Sequence, residues 1–192
     1  MADAARSLLN DPVIEEHRAR APKGVRAEIV AGALLMSPAP KSGHLNAQGE
    51  LIAKLLSQRA LRLGGPPPRG WRFLLTPELH LGVGPDKLNP DLAGWRAARA
   101  PALSEYPITR VPDWVCEVLS PSTERSDRGT KLPLFGEHGA THAWLVDPDA
   151  HTLEVFRLSA TGARAIGTYS GDALVRAEPF EEVELELGSL WE

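Results

Sequence analysis

Three charged residues stand where charge is costly or where its spacing invites chemistry. Glu117 lies inside Trp114–Leu119, which reads WVCEVL and is otherwise nearly continuously apolar. Such a run belongs in a sheet covered on both faces. A carboxylate there needs a cation, a metal or a raised pKa, because uncompensated burial of the charge costs several kcal/mol. Strand alternation toward solvent is the competing account, as is a structural salt bridge, but Val115 shares the face of Glu117 and makes the solvated one harder to hold. Asp91 follows Pro90 at the head of the short apolar stretch Leu92-Ala93-Gly94-Trp95. Proline is tolerated at a strand's first residue, although Asp beside Pro is also ordinary turn chemistry. Lys131 comes fourteen residues after Glu117, on the helix expected to follow that strand. Taken singly, it reads as a surface lysine.

Together they form a constellation. Two carboxylates on neighbouring strand ends can hold one Mg2+ with waters and a phosphate oxygen. Such an ion lowers the pKa of a bound water and stabilises the charge of an in-line phosphoryl displacement. A lysine beside it can orient that water or neutralise the transition state.

The elements that must position these groups are short. Seventeen Gly and seventeen Pro punctuate the chain. Asp3–Leu9 and Val13–Ala21 read as short helices, closed by Pro22-Lys23-Gly24. Glu28-Ile29-Val30 and Leu34-Leu35-Met36 flank Ala31-Gly32 as a hairpin. Ser42–Leu63 is the longest helical candidate, with Leu45, Ile52, Leu55, Leu56 and Leu63 at helix-like intervals. Trp71–Leu75 and Glu78–Val83 read as strands, Pro85–Asn89 as a turn, Pro90–Arg96 as a strand and Arg99–Arg110 as an irregular connection. After the Trp114–Leu119 strand, Asp127–His138 is a helix stopped by Gly139, with Pro133 set to kink it or shift its start. His142–Val146 and Leu153–Leu158 pair around Asp147-Pro148-Asp149, and Arg164–Tyr169 and Ala173–Arg176 add strand character. The order predicts an α/β (α+β) fold, a mixed sheet with helices on its faces.

At 192 residues the chain suits one domain able to bury a core without disulfides. Residues 1–24 read as an N-terminal helical segment and 25–192 as the main domain. The lone Cys116 excludes an intrachain disulfide or a cysteine-based zinc site. His138 and His142 are spaced i,i+4, but Gly139 lies between them and no zinc site is expected. No Walker loop or dinucleotide fingerprint appears. Neither a signal peptide nor an apolar run of about 20 residues is present, so a soluble cytoplasmic protein with no membrane partner is expected. The formal charge of −4 disfavours bulk nucleic-acid binding. That charge is uneven, however. Residues 1–131 hold 18 Lys/Arg against 14 Asp/Glu, and residues 132–192 hold 3 against 11. All three singled-out residues lie in the mildly basic part.

Pro90-Asp91, Glu117–Thr123 (EVLSPST), Asp127, Lys131, Gly139 and Trp144–Pro148 (WLVDP), in that order and spacing, resemble the Uma family of restriction-endonuclease-like proteins in the PD-(D/E)xK nuclease superfamily. Upstream, Glu28–Pro38 is similar to the family's entry hairpin and His44 to the histidine after it, so the likeness covers about residues 25–190. It implies a restriction-endonuclease-like core, a mixed four- or five-stranded sheet flanked by helices with an N-terminal hairpin. It further implies Asp91 and Glu117 as ligands of Mg2+ (or Mn2+), supported by Glu28, with Lys131 as the active-site lysine. One departure matters: the signature places a lysine two residues after Glu117, where this chain has Leu119. Lys131 would act as its migrated equivalent.

His44, Gln48 one turn on, Ser120, Arg125 and Arg128 are candidates for phosphate or nucleic-acid contact, beside the plainer reading of local hydrogen bonds and helix capping. The expected function is a divalent-metal-dependent DNA endonuclease, with DNA held weakly and a homodimer as the arrangement for paired cuts. The alternative is a catalytically silent nuclease fold serving as a DNA-binding or protein-interaction module.

Overall fold

The computed structural model describes residues 12–57, 70–82, 84 and 86–192. Helix α1 (Pro12–Ala19) buries none of its side chains and is held through charge. Arg18 pairs with Glu15 and Glu78, and Lys87 with Glu15. Strands β1 (Val25–Val30) and β2 (Ala33–Pro38) form the expected hairpin. Ala31 and Gly32 both take positive φ at its turn (49° and 76°), the twist that closes two-residue hairpins. Helix α2 (Ser42–Ser57) follows, and the remainder of the predicted Ser42–Leu63 helix lies outside the described residues, as does Asp3–Leu9.

The main sheet is built from β3 (Trp71–Leu75), β6 (Leu92–Arg96), β7 (Trp114–Val118), β8 (His142–Asp147), β9 (Thr152–Ser159) and β10 (Gly162–Ser170), in the order β10-β9-β8-β7-β6-β3. Only β7 and β8 run parallel, so the sheet is mixed, with six strands where four or five were expected. A second sheet joins the hairpin to β4 (Leu79–Leu81) and β5 (Asp86–Leu88), in the order β2-β1-β5-β4. Strand β5 corrects the predicted turn at Pro85–Asn89. Its Asp-Lys-Leu-Asn composition is that of a turn, but pairing with β4 and β1 and full burial of Leu88 override the local preference. Strands β11 (Leu174–Val175) and β12 (Leu185–Glu186) form a small pair near the C-terminus.

The predicted helix at Asp127–His138 is also corrected. It begins earlier, with α3 (Glu124–Ser126), passes through a π-helical turn at Asp127–Lys131, and continues as α4 (Leu132–His138). Pro133 is the second residue of α4 and follows the π-helical turn directly, within a continuous helical stretch, and Gly139 ends the helix at φ 102°. A Cβ on Gly136 would stand 2.5 Å from the Ser159 carbonyl oxygen, so glycine permits α4 to lie close on β9.

The sheet separates two cores. One holds Trp71, Trp114, Trp144 and Phe180 with Ala47, Leu51 and Leu55 of α2. The other holds Val115, Leu119, Leu145, Leu132 and Phe135 with Leu79, Leu81 and Leu88 of the second sheet.

Candidate active site

Alternation along β7 sends Trp114, Cys116 and Val118 to the aromatic core and Val115, Glu117 and Leu119 toward α4. Glu117 is thus aimed into the second core at 2% exposure, as its place in an apolar run predicts. Strand β6 runs antiparallel to β7 with Leu92 opposite Cys116, and one further step of that register sets Asp91 across from Glu117. Asp91 Oδ2 accepts the Val118 N–H at 2.8 Å, which ties the two strand ends together. The π-helical turn brings Lys131 back over the strand, where its Nζ lies 3.3 Å from Glu117 Oε1. The two carboxylates and the lysine singled out in the sequence all line one cavity of about 440 Å3.

Three more charges complete the interior. Glu28 on β1 reaches Lys131 Nζ at 2.8 Å and accepts the Asn89 N–H at 2.7 Å. Asp127 lies 3.1 Å from the same Nζ. Arg26 donates to Asp91 Oδ1 at 2.9 Å. Neither Arg26 nor Asp127 has a role assigned from the sequence alone. Strand alternation could have found Arg26, since it shares a face with Glu28 two residues on. Asp127 stands four residues before Lys131, the spacing of a helical ion pair.

The other candidates take varied places. His44, in the first turn of α2, lines the cavity with Nε2 3.1 Å from Asp91 Oδ1, a close approach without hydrogen-bond alignment. Gln48 is turned inward, donating to the Asp91 carbonyl at 2.6 Å and meeting Thr76 Oγ1 at 3.2 Å, so it fixes the backbone of Asp91. Ser120 lines the cavity, its hydroxyl 3.0 Å from both Ser122 and Thr123 hydroxyls. Arg125 is exposed. Arg128 is engaged by Glu154 through both terminal nitrogens and by Glu124 at 2.9 Å, so its guanidinium is committed within the protein.

Burial and charge divide the two central carboxylates. Burial pushes Asp91 up, but the His44 contact, the Arg26 charge and the Val118 N–H outweigh it and hold the carboxyl below its usual range. Glu117 goes the other way. Burial drives it well above the carboxylate range against the pull of Lys131, and Asp127, Asp91 and Glu28 add to the rise. Asp127 is likewise raised by burial, against Lys131 and a Thr123 hydrogen bond. Burial alone would lower Lys131, yet Glu117, Glu28 and Asp127 together raise it, so it stays an ammonium. Neighbouring acids whose environments push their pKa values apart are the pattern of acid–base sites.

The donor set also suits a hard cation. Glu28, Asp91, Glu117 and Asp127 offer only oxygen, the ligand type of Mg2+ and Mn2+. Four acidic side chains thus face two cations, Arg26 and Lys131, and a divalent ion would favour the ionised forms of Glu117 and Asp127, which burial disfavours. Among the described residues no three His, Cys, Asp or Glu side chains form a group that could hold a metal ion as they stand. No helix among the described residues is long and apolar enough to cross a membrane.

Residues 14–188 match the family model Uma2, described as putative restriction endonuclease. A solved structure described as a putative nuclease belonging to DUF820, from Anabaena variabilis ATCC 29413, is 24% identical with a TM-score of 0.67. The match covers 93% of this chain and 96% of that one, and at this identity it establishes the fold. No curated protein matches.

Proposed function

The chain belongs to the Uma2 family of putative restriction endonucleases, and from that premise we propose that it is a divalent-metal-dependent endonuclease that hydrolyses phosphodiester bonds of DNA. The observation that carries this reading is the meeting of Asp91, Glu117 and Lys131 in one cavity, drawn from β6, β7 and the π-helical turn. Asp91 and Glu117, with Glu28 behind them, would hold Mg2+ or Mn2+. When bound, such an ion supplies a water of lowered pKa and charge stabilisation at the phosphoryl oxygens.

The chain's own groups divide the remaining work. Arg26 and His44 keep Asp91 ionised and oriented, and Gln48 holds its carbonyl. Lys131 supplies hydrogen bonds to a non-bridging phosphate oxygen or the attacking water, the task that Leu119 cannot perform at the signature position. His44 and the Ser120 hydroxyl, both on the cavity wall, are placed to meet a phosphate. A two-fold dimer would set two such sites on a duplex for a double-strand cut.

Nicking of supercoiled plasmid tests the reading. Activity should require Mg2+ or Mn2+ and be lost in Asp91→Ala, Glu117→Ala and Lys131→Ala variants that remain folded. Undiminished nicking in all three would refute the assigned site.

A further inference from the structure

An ammonium carries three N–H donors, and Lys131 has three carboxylate neighbours. Glu28 Oε2 lies at 2.8 Å, Asp127 Oδ1 at 3.1 Å and Glu117 Oε1 at 3.3 Å, and all four side chains are almost wholly buried. Lys131 therefore occupies the point on which these oxygens converge, the point an entering cation needs. Glu28 and Glu117 stand on strands of two sheets, while Asp127 belongs to the same π-helical turn as Lys131 and stays with it. Asp127 Oδ1 is also buried without an aligned hydrogen bond, so it retains capacity for a better one. Single π-helical turns of this kind occur often at functional sites.

We propose that Lys131 is a tethered resting cation: a divalent ion entering the site takes the Glu117 and Glu28 oxygens from the Lys131 ammonium, which remains beside the site on Asp127. This rests on the metal-dependent reading above and adds to it that the metal-free protein is closed by its own lysine. Asp127 is then a positioning residue, keeping the displaced ammonium within reach of a phosphate.

The test is calorimetric titration of Mn2+ into the full chain as wild type, Lys131→Met, Asp127→Asn and the double variant, with melting measured with and without Mn2+. Removing a like charge from contact distance should tighten Mn2+ binding about tenfold or more in Lys131→Met. If that variant is too unstable for titration, Mn2+ should raise its melting temperature more than it raises that of the wild type. Asp127→Asn should weaken Mn2+ binding while Lys131 is present and have no effect in the Lys131→Met background. Equal weakening in both backgrounds would make Asp127 a ligand and overturn the tether. Mn2+ bound equally, or less tightly, by Lys131→Met overturns the displacement and leaves metal dependence standing. Absence of Mn2+ binding by both proteins overturns both.

Discussion

Strand β7 is buried along its whole length, yet its two faces live in opposite environments. On one side Trp114 meets Phe73, Trp144 and Phe180 edge-on, with ring centroids 5.2–5.9 Å apart, and the cluster around them is apolar throughout. On the other side, two residues from the apolar Val115, Glu117 shares an ammonium with two further carboxylates. The first face gains from burial and asks chiefly for shape, with the Trp144 indole N–H donating to the Glu178 carbonyl and that of Trp114 left without a partner. The second holds charges whose desolvation is offset largely by one another, an arrangement seldom kept for stability alone. The difference shows how a thin strand serves both needs: the aromatic face anchors β7 so that the acidic face can remain electrostatically strained.

The largest effect should come from removing that anchor. Phe180 touches Trp71, Phe73, Trp114 and Trp144 at once, at 4.9–5.6 Å. Phe180→Ala should lower stability by about 3–5 kcal/mol in urea unfolding. Nicking per folded molecule should change little. Loss of activity in the fully folded variant would show that the two faces are not separable.

On the acidic face, neighbouring carboxylates should respond with opposite signs. Asp91 is held low, so it contributes stability that is present above its unfolded value and is lost as pH falls through the folded one. Asp91→Asn should therefore destabilise by about 1–3 kcal/mol at neutral pH and flatten the acid limb of the stability profile. Glu117 is raised, so its contribution is fully present below the unfolded value and lost as pH rises through the folded one. Glu117→Gln should match wild type near pH 4 and become more stable than wild type toward pH 7. Melting across that range without metal measures both. A Glu117→Gln protein less stable than wild type at pH 7 would mean that its ion pair with Lys131 outweighs its burial.

Why these residues were legible, and others not, follows from the same contrast. Glu117 stood out because a charge inside an apolar run violates a local rule, and such violations collect at functional sites. Lys131 was reachable from the strand–loop–helix spacing, and the hairpin from its Ala-Gly turn. The aromatic core was visible only as scattered Trp and Phe, since its assembly depends on pairing across the sheet. The π-helical turn had no local signature, because hydrogen-bond register within a helix is set by what the helix packs against. Gln48 is a phosphate-contact candidate by sequence, and only the tertiary position of Asp91 turns it inward to that residue's carbonyl. The turn expected at Pro85–Asn89 gives way to the strand Asp86–Leu88 for a like reason.

The smallest effects should separate two arginines that the sequence treats alike. Arg128 is paired with Glu154 and Glu124, whereas Arg125 is exposed on the helix that follows the Ser120–Thr123 wall of the cavity. Arg128→Ala should cost about 0.2–1 kcal/mol of stability, because pairs at a partly exposed site are screened, and leave DNA affinity unchanged. Arg125→Ala should leave stability within about 0.5 kcal/mol. If its guanidinium meets a phosphate, it should also reduce the salt dependence of DNA binding by about one unit of log–log slope. Fluorescence anisotropy over a salt series gives both slopes. A drop in slope for Arg128→Ala and none for Arg125→Ala would mean that DNA draws Arg128 away from Glu154, and the contact surface would then lie toward β9 rather than along the cavity wall.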